Sequence, residues 1–240
     1  AVAAWDVTTG APAIVVAVID TGVRFDHPDL LPAADGGKLL PGHDFVSAES
    51  GGTARAANDG DGWDGDPSDP GDWISSPDRT VSQFSDCPVG GSSWHGTRVA
   101  AMVGAATNNS AGIAGGMWNG FVLPVRVLGK CGGYDSDIVV GMRWAAGLAV
   151  ASPAVGDIAR MTNINPARIL NLSLGGPGNC GRTYRDVVAE LTSAGVLVVA
   201  SAGNDSGPVE TPANCPGVLA VGGLRHVGTK VGYSSLGPEV

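Results

Sequence analysis

The sequence predicts an α/β fold, doubly wound into three layers around a mainly parallel sheet, and three observations carry that prediction. Short apolar runs alternate along the chain with stretches rich in small residues at helical spacing, the rhythm of strands buried on both faces by crossover helices. At 240 residues the chain is long enough to bury most of its apolar surface in one domain without staples. With 43% hydrophobic residues, 15% charged residues and 38 glycines, its composition is that of a globular, loop-rich protein rather than a disordered one.

Taken in order, the first strand is expected over 14–19, where the apolar run from Ile14 to Ile19 stops at Asp20. A shorter strand follows near 42–46. From Ser47 to Gly91 the rhythm is broken by Gly, Pro, Ser and Asp, so this stretch reads as an elaborated surface loop and not as a second domain. A helix over 95–106 sets Ala, Met and Val on its buried side. Strand 121–128 and helix 135–150 come next, then a second insertion from Ser152 to Pro166. Strand 168–174, helix 182–194, and strands 196–201 and 218–222 complete the alternation, and each later helix ends near a glycine. No internal repeat is present.

Fourteen basic and 23 acidic side chains give a net charge of −9, which disfavours nucleic acid as a partner, because phosphate neutralisation dominates such binding. No apolar stretch approaches the roughly 18 residues of a membrane span. Residues 1–12 lack the charged-then-apolar form of a signal peptide, and Ala1 reads as a processed or trimmed end. Cys87, Cys131, Cys180 and Cys215 show no close C-x-x-C spacing. An even count suits two disulfides in a secreted protein, with three connectivities open; four buried free thiols are the alternative.

Four strings carry the chemistry: Val18-Ile19-Asp20-Thr21-Gly22, Ser93-Trp94-His95-Gly96-Thr97-Arg98-Val99-Ala100, Asn171-Leu172-Ser173-Leu174-Gly175-Gly176 and Ala202-Gly203-Asn204. The first puts a carboxylate at a strand end and the second an imidazole at a helix start. An open α/β sheet gathers both at one rim, outside the carboxyl ends of its strands. Each residue has a plainer reading: Asp20 as a turn or capping residue, His95 as a helix cap, Asn204 as a turn residue. Their joint order, Asp then His then Asn, resembles the subtilisin family of serine endopeptidases.

That resemblance implies a subtilisin-like fold and a division of labour. Asp20 holds the imidazole, His95 shuttles the proton, and Asn204 donates its side-chain amide to the oxyanion. Such enzymes bind substrate as an added strand, which suits Gly132, Gly133 and Tyr134 on one side and Ser173, Leu174 and Gly175 on the other. Ala200, Ser201 and Ala202 would line the first specificity pocket, with Asp205 and Glu210 in the segment that closes it. The family's Gly-Thr-Ser-Met-Ala string is absent, and Tyr233-Ser234-Ser235-Leu236-Gly237-Pro238 resembles the stretch shortly before it. The resemblance therefore makes residues 1–240 the N-terminal and central portion of one catalytic domain. The nucleophile is expected a few tens of residues beyond Val240, on a companion C-terminal segment. Residues 1–240 alone are expected neither to hydrolyse peptides nor to stay well folded. A propeptide during maturation, an extracellular location and a polypeptide substrate follow from the same resemblance.

Calcium is the cofactor implied. The string Thr107-Asn108-Asn109-Ser110-Ala111-Gly112-Ile113 resembles the family's calcium-wrapping loop, with Thr107, Asn109, Ala111 and Ile113 as ligands and Asp29 as the carboxylate. Seven aspartates fall between Asp59 and Asp78 and repel one another unless a cation or solvent relieves them. Of these, Asp59, Asp61, Asp64, Asp66, Asp69 and Asp72 are candidate ligands of a further calcium. For the cysteines, the resemblance implies Cys87 with Cys131 and Cys180 with Cys215. Two rival functions remain: an aspartic protease, which shares the string Asp20-Thr21-Gly22 but needs a second such aspartate, and a peptide-binding module without a nucleophile.

Overall fold

The computed structural model describes residues 2–49, 52–151 and 160–240. Helix α1 (Val2–Trp5) leads into β1 (Gly10–Asp20), followed by β2 (His43–Asp44), α2 (His95–Gly104), β3 (Asn119–Arg126) and α3 (Asp135–Ala145). Strands β4 (Val150–Ala151) and β5 (Arg160–Met161), then β6 (Ile169–Leu172), α4 (Arg182–Ser193), β7 (Leu197–Ser201) and β8 (Val218–Val221) complete the order. Six strands form a parallel sheet in the order β2-β3-β1-β6-β7-β8. Because β1 lies inside the sheet with β3 and β6 on either side, both its faces are covered, and Ala17, Val18 and Ile19 are all buried.

Alternation along the strands sorts the core into two layers. Ala17, Ile19, Leu123 and Val125 face the side covered by α3 and α4, in a cluster with Met142, Leu172, Val188 and Leu191. Val18 and Val122 face the opposite side, where Ala100 of α2 packs on them. This is the three-layer arrangement the sequence predicts. On the α2 side the cover stops short: Leu197, Leu219 and Val221 of β7 and β8 are 44%, 52% and 49% exposed, a row of apolar side chains at the sheet's edge.

Every expected element is present, with altered bounds. The first strand begins four residues earlier because Gly10 pairs with Asn119 before the register shifts and the regular ladder resumes at Val15. Helix α3 ends at Ala145 and not near 150, since the chain must turn at Gly147 to send Val150 and Ala151 into an antiparallel pair with Arg160 and Met161. That pair was not expected; the rest of the insertion, 152–159, lies outside the described residues. Strand β6 is four residues long where 168–174 was expected, because Ser173 to Gly176 leave the ladder at the sheet's rim. No helix among the described residues is long and apolar enough to cross a membrane.

The long segment after β2 is tied to the body by charge and by sulfur. Arg126, 1% exposed, ends β3 and pairs with Asp44 and Asp59 while also donating to the Ala57 carbonyl. Cys87 is joined to Cys131, with Cα atoms 5.9 Å apart, and Cys180 to Cys215, at 5.0 Å. The first bond fastens the loop to the turn before α3. The second fastens the start of α4 to the turn before β8. Of the three connectivities the composition allows, this is the one implied by the resemblance.

Candidate active site

The acid and the imidazole meet because β1 ends where α2 begins. The Asp20 carboxylate accepts the Thr21 amide at 2.7 Å, and its two oxygens lie 2.8 and 2.9 Å from Nδ1 of His95. The Asp20 side chain is 1% exposed and that of His95 is 42% exposed, so the acid is sealed behind a base that opens to solvent. With Nδ1 donating to the carboxylate, Nε2 is the ring's free basic position. The hydrogen bond to Asp20 raises the His95 pKa above its ordinary value, with burial opposing it and the Asp20 charge adding to it. Asp20 faces a histidine and not a second aspartate, which removes the aspartic protease alternative.

Close approach of the two elements requires a glycine at 96, where any side chain would overlap the Gly22 carbonyl and crowd Asp20. The Gly96 amide donates to Thr21 Oγ1 at 3.0 Å, and that hydroxyl donates to Asp69 at 2.8 Å. Asp69, 4% exposed, also accepts the Gly71 amide at 2.8 Å. Burial pushes its carboxyl upward, while the bonds from Thr21 and Gly71 oppose the shift. On the other side Asp72 accepts the Ser93 hydroxyl at 2.7 Å, and Ser93 Oγ in turn accepts the His95 amide at 3.2 Å, satisfying one of the unpaired amides that open the helix. Trp94 between them sits at φ 51°, with the Arg24 guanidinium 4.8 Å from its ring centroid.

A cleft of about 740 Å³ opens in front of His95. Gly132, Gly133, Ser173, Leu174, Gly175, Ser201 and Asn204 line it, and so do Asp205 and Glu210. The structure thus brings residues of all four sequence strings and the glycine pair to one opening. Others of the expected residues stand elsewhere. Ala200 and Ala202 are each 1% exposed and do not line the cleft: alternation along β7 turns Ala200 inward, Ala202 just past its end joins the same core cluster, and Ser201 between them faces out. Tyr134 is 48% exposed and borders a neighbouring hollow of about 160 Å³, which Gly132 and Gly133 share.

The expected metal ligands divide. Asp29, 2% exposed, is wrapped by the 107–113 loop: Asn109 Nδ2 donates to one oxygen at 2.7 Å and the Ile113 amide to the other at 2.9 Å. Thr107 Oγ1 is buried without a hydrogen-bond partner among the described residues. A carboxylate, an amide group and an orphaned hydroxyl suit a hard cation, once the Asn109 amide presents its oxygen. The aspartate run is a different matter. Five of the six expected ligands there have partners of their own: Asp59 pairs with Arg126, Asp64 and Asp66 accept backbone amides, Asp69 accepts Thr21 and Gly71, and Asp72 accepts Ser93. Among the described residues no three His, Cys, Asp or Glu side chains form a group that would hold a metal. The buried cation Arg126 and the two positioning carboxylates are what the sequence reading missed; Asp69 and Asp72 stood in a run whose like charge suggested a metal.

The subtilase family model, Peptidase S8, matches residues 11–240. The chain is 43% identical over 240 residues to an extracellular protease of Xanthomonas campestris pv. campestris, covering 99% of this chain and 37% of that protein. It is 40% identical over 245 residues to an extracellular basic protease of Dichelobacter nodosus, covering 98% and 36%. It therefore spans a little over a third of the length of these curated relatives. Among solved structures, a Pseudoalteromonas arctica protease superposes with a TM-score of 0.82 at 42% identity, covering 99% of this chain and 63% of that one. The prenylagaramide maturation protease PagA shares the fold, with a TM-score of 0.61 at 22% identity. By its family match and its likeness to these proteases, the chain belongs to the subtilase family.

Proposed function

We propose that this chain is the larger part of the catalytic domain of a secreted serine endopeptidase. The observation that carries the reading is the sealed Asp20 behind a half-open His95, at a cleft that Asn204 also lines. The nucleophilic serine is proposed to lie beyond Val240. His95 Nε2 takes the proton from that hydroxyl as its oxygen bonds to the substrate carbonyl carbon. The resulting imidazolium is stabilised by Asp20, and it then gives the proton to the leaving amine as the C–N bond breaks. Asn204 donates its amide to the oxyanion formed between these steps. Water repeats the sequence against the acyl enzyme and restores the serine.

Two features support the rest of the reading. The exposed row Leu197, Leu219 and Val221 is suited to cover by a further helix, as expected of the companion segment with the nucleophile. The extracellular naming of the two relatives and the two disulfides support secretion, and a propeptide during maturation belongs to the same proposal. A substrate strand is proposed to run between Gly132–Gly133 and Ser173–Gly175. Calcium, if bound, is proposed to be held by Asp29, Asn109 and Thr107 with carbonyls of their loop, where it supplies charge neutralisation remote from the chemistry. Assay of the full-length protein on an unfolded protein substrate tests the reading: hydrolysis that disappears in His95→Ala supports it, and hydrolysis unaffected by that change refutes it.

A further inference from the structure

Glu210 is placed where a substrate side chain would end. Its amide donates to the Ala202 carbonyl at 3.0 Å, and the next residue, Thr211, exchanges two 3.0 Å hydrogen bonds with Gly176. The backbone that carries Glu210 is thereby clamped to both walls of the cleft, the 173–176 rim and the 201–204 rim. Its carboxylate lies on the α-carbon of Gly203, where an added methyl group would overlap it, and such a group on Gly175 would meet the other oxygen at 3.4 Å. Gly203 directly precedes the oxyanion donor Asn204. A side chain passing between Gly175 and Gly203 therefore runs into this carboxylate.

The charges around it are unbalanced. Among the described residues no lysine or arginine lines the cleft, whereas Asp72, Asp135, Asp205 and Glu210 do. Two of the four are already engaged: Asp72 by Ser93 and Asp135 by the Tyr184 hydroxyl at 2.8 Å. Asp205 is exposed at the rim. Glu210 is half-buried and has no hydrogen-bond or ion-pair partner for its carboxylate among the described residues. A carboxylate without a donor from the protein is matched by a cation that brings its own donors.

Resting on the endopeptidase reading above, we propose that Glu210 selects substrates with a lysine or arginine on the acyl side of the cleaved bond. The ammonium or guanidinium enters from the cleft, meets the Glu210 carboxylate where it lies against Gly203 and faces Gly175, and donates to it. Asp205 at the rim adds long-range attraction without contact.

The test is a pair of peptide amides differing only in that residue, lysine or leucine, assayed with the full-length protein and its Glu210→Gln variant. Because the lysine-to-leucine ratio of kcat/KM is read within one preparation, any loss of folded protein cancels. The wild type should favour lysine, and Glu210→Gln should lower the ratio by about 10- to 100-fold. Benzamidine, an aryl amidinium, should inhibit cleavage of the leucine peptide by the wild type competitively, which tests the site even if the variant fails to fold. A ratio unchanged in Glu210→Gln, a wild type that prefers leucine, or no inhibition by benzamidine overturns the assignment while leaving the protease reading standing. Absence of hydrolysis of either peptide by the wild type overturns both.

Discussion

The hydroxyl of Thr21 donates to the buried carboxylate of Asp69 across 2.8 Å and accepts the amide of Gly96, next to His95. One side chain thus joins the strand that carries the acid to the helix that carries the base, and a residue from the long loop fixes its direction. In the proposed mechanism the aspartate-rich insertion therefore helps to position the acid and the base.

Asp69→Ala should therefore slow the chemistry without weakening substrate binding. We expect kcat to fall about tenfold with KM little changed, and stability to drop by about 1–3 kcal/mol as Thr21 and the Gly71 amide lose their acceptor. Steady-state kinetics and urea unfolding read both. Unchanged kcat alongside lowered stability would reduce Asp69 to a structural role.

The pH profile follows from the sign of the His95 shift. The base works only when neutral, so activity is present above its pKa and lost as pH falls through it. Since the bond to Asp20 raises that pKa, the acid limb of kcat/KM should lie above about 6.5, the ordinary imidazole value. Asp20→Asn should move the limb to lower pH and cost about 10⁴ in turnover. A limb that stays in place would mean that another group controls it.

Asn204→Ala should lower kcat with little change in KM, because the oxyanion exists only during the reaction. The size is carried over from subtilisin, where loss of the corresponding donor slows turnover by about 10²–10³. A fall confined to KM would instead make Asn204 a binding residue.

How much of this was legible in the sequence depends on how local each feature is. Asp20, His95 and Asn204 stand in contiguous strings at element ends, and the parallel sheet brings such ends together whatever the loop lengths. The roles of Asp69 and Asp72 were hidden because their partners, Thr21 and Ser93, lie 48 and 21 residues away. Within the run itself only mutual repulsion is visible, which suggests a metal. Arg126 was concealed in the same way: it reads as the polar end of a strand, while its carboxylate partners are 82 and 67 residues distant. Ala200 and Ala202 followed from a family string, although the period of two in β7 already turns Ala200 away from the Ser201 face.

Calcium at the Asp29 loop predicts that excess chelator lowers the melting temperature of the wild type, since a ligand of the folded state stabilises by mass action. Asp29→Asn should lower it as well and make it insensitive to chelator. Coincident melting curves with and without chelator would remove the ion from the account.

In the proposed mechanism Asp20 and His95 activate a serine supplied beyond Val240. Labelling the full-length protein with a fluorophosphonate, then mapping the labelled peptide, tests it most directly. A single labelled serine C-terminal to Val240 is expected, modified at a rate that falls at least about a thousandfold in His95→Ala. Label on any serine within residues 1–240, or a rate indifferent to His95, would contradict it.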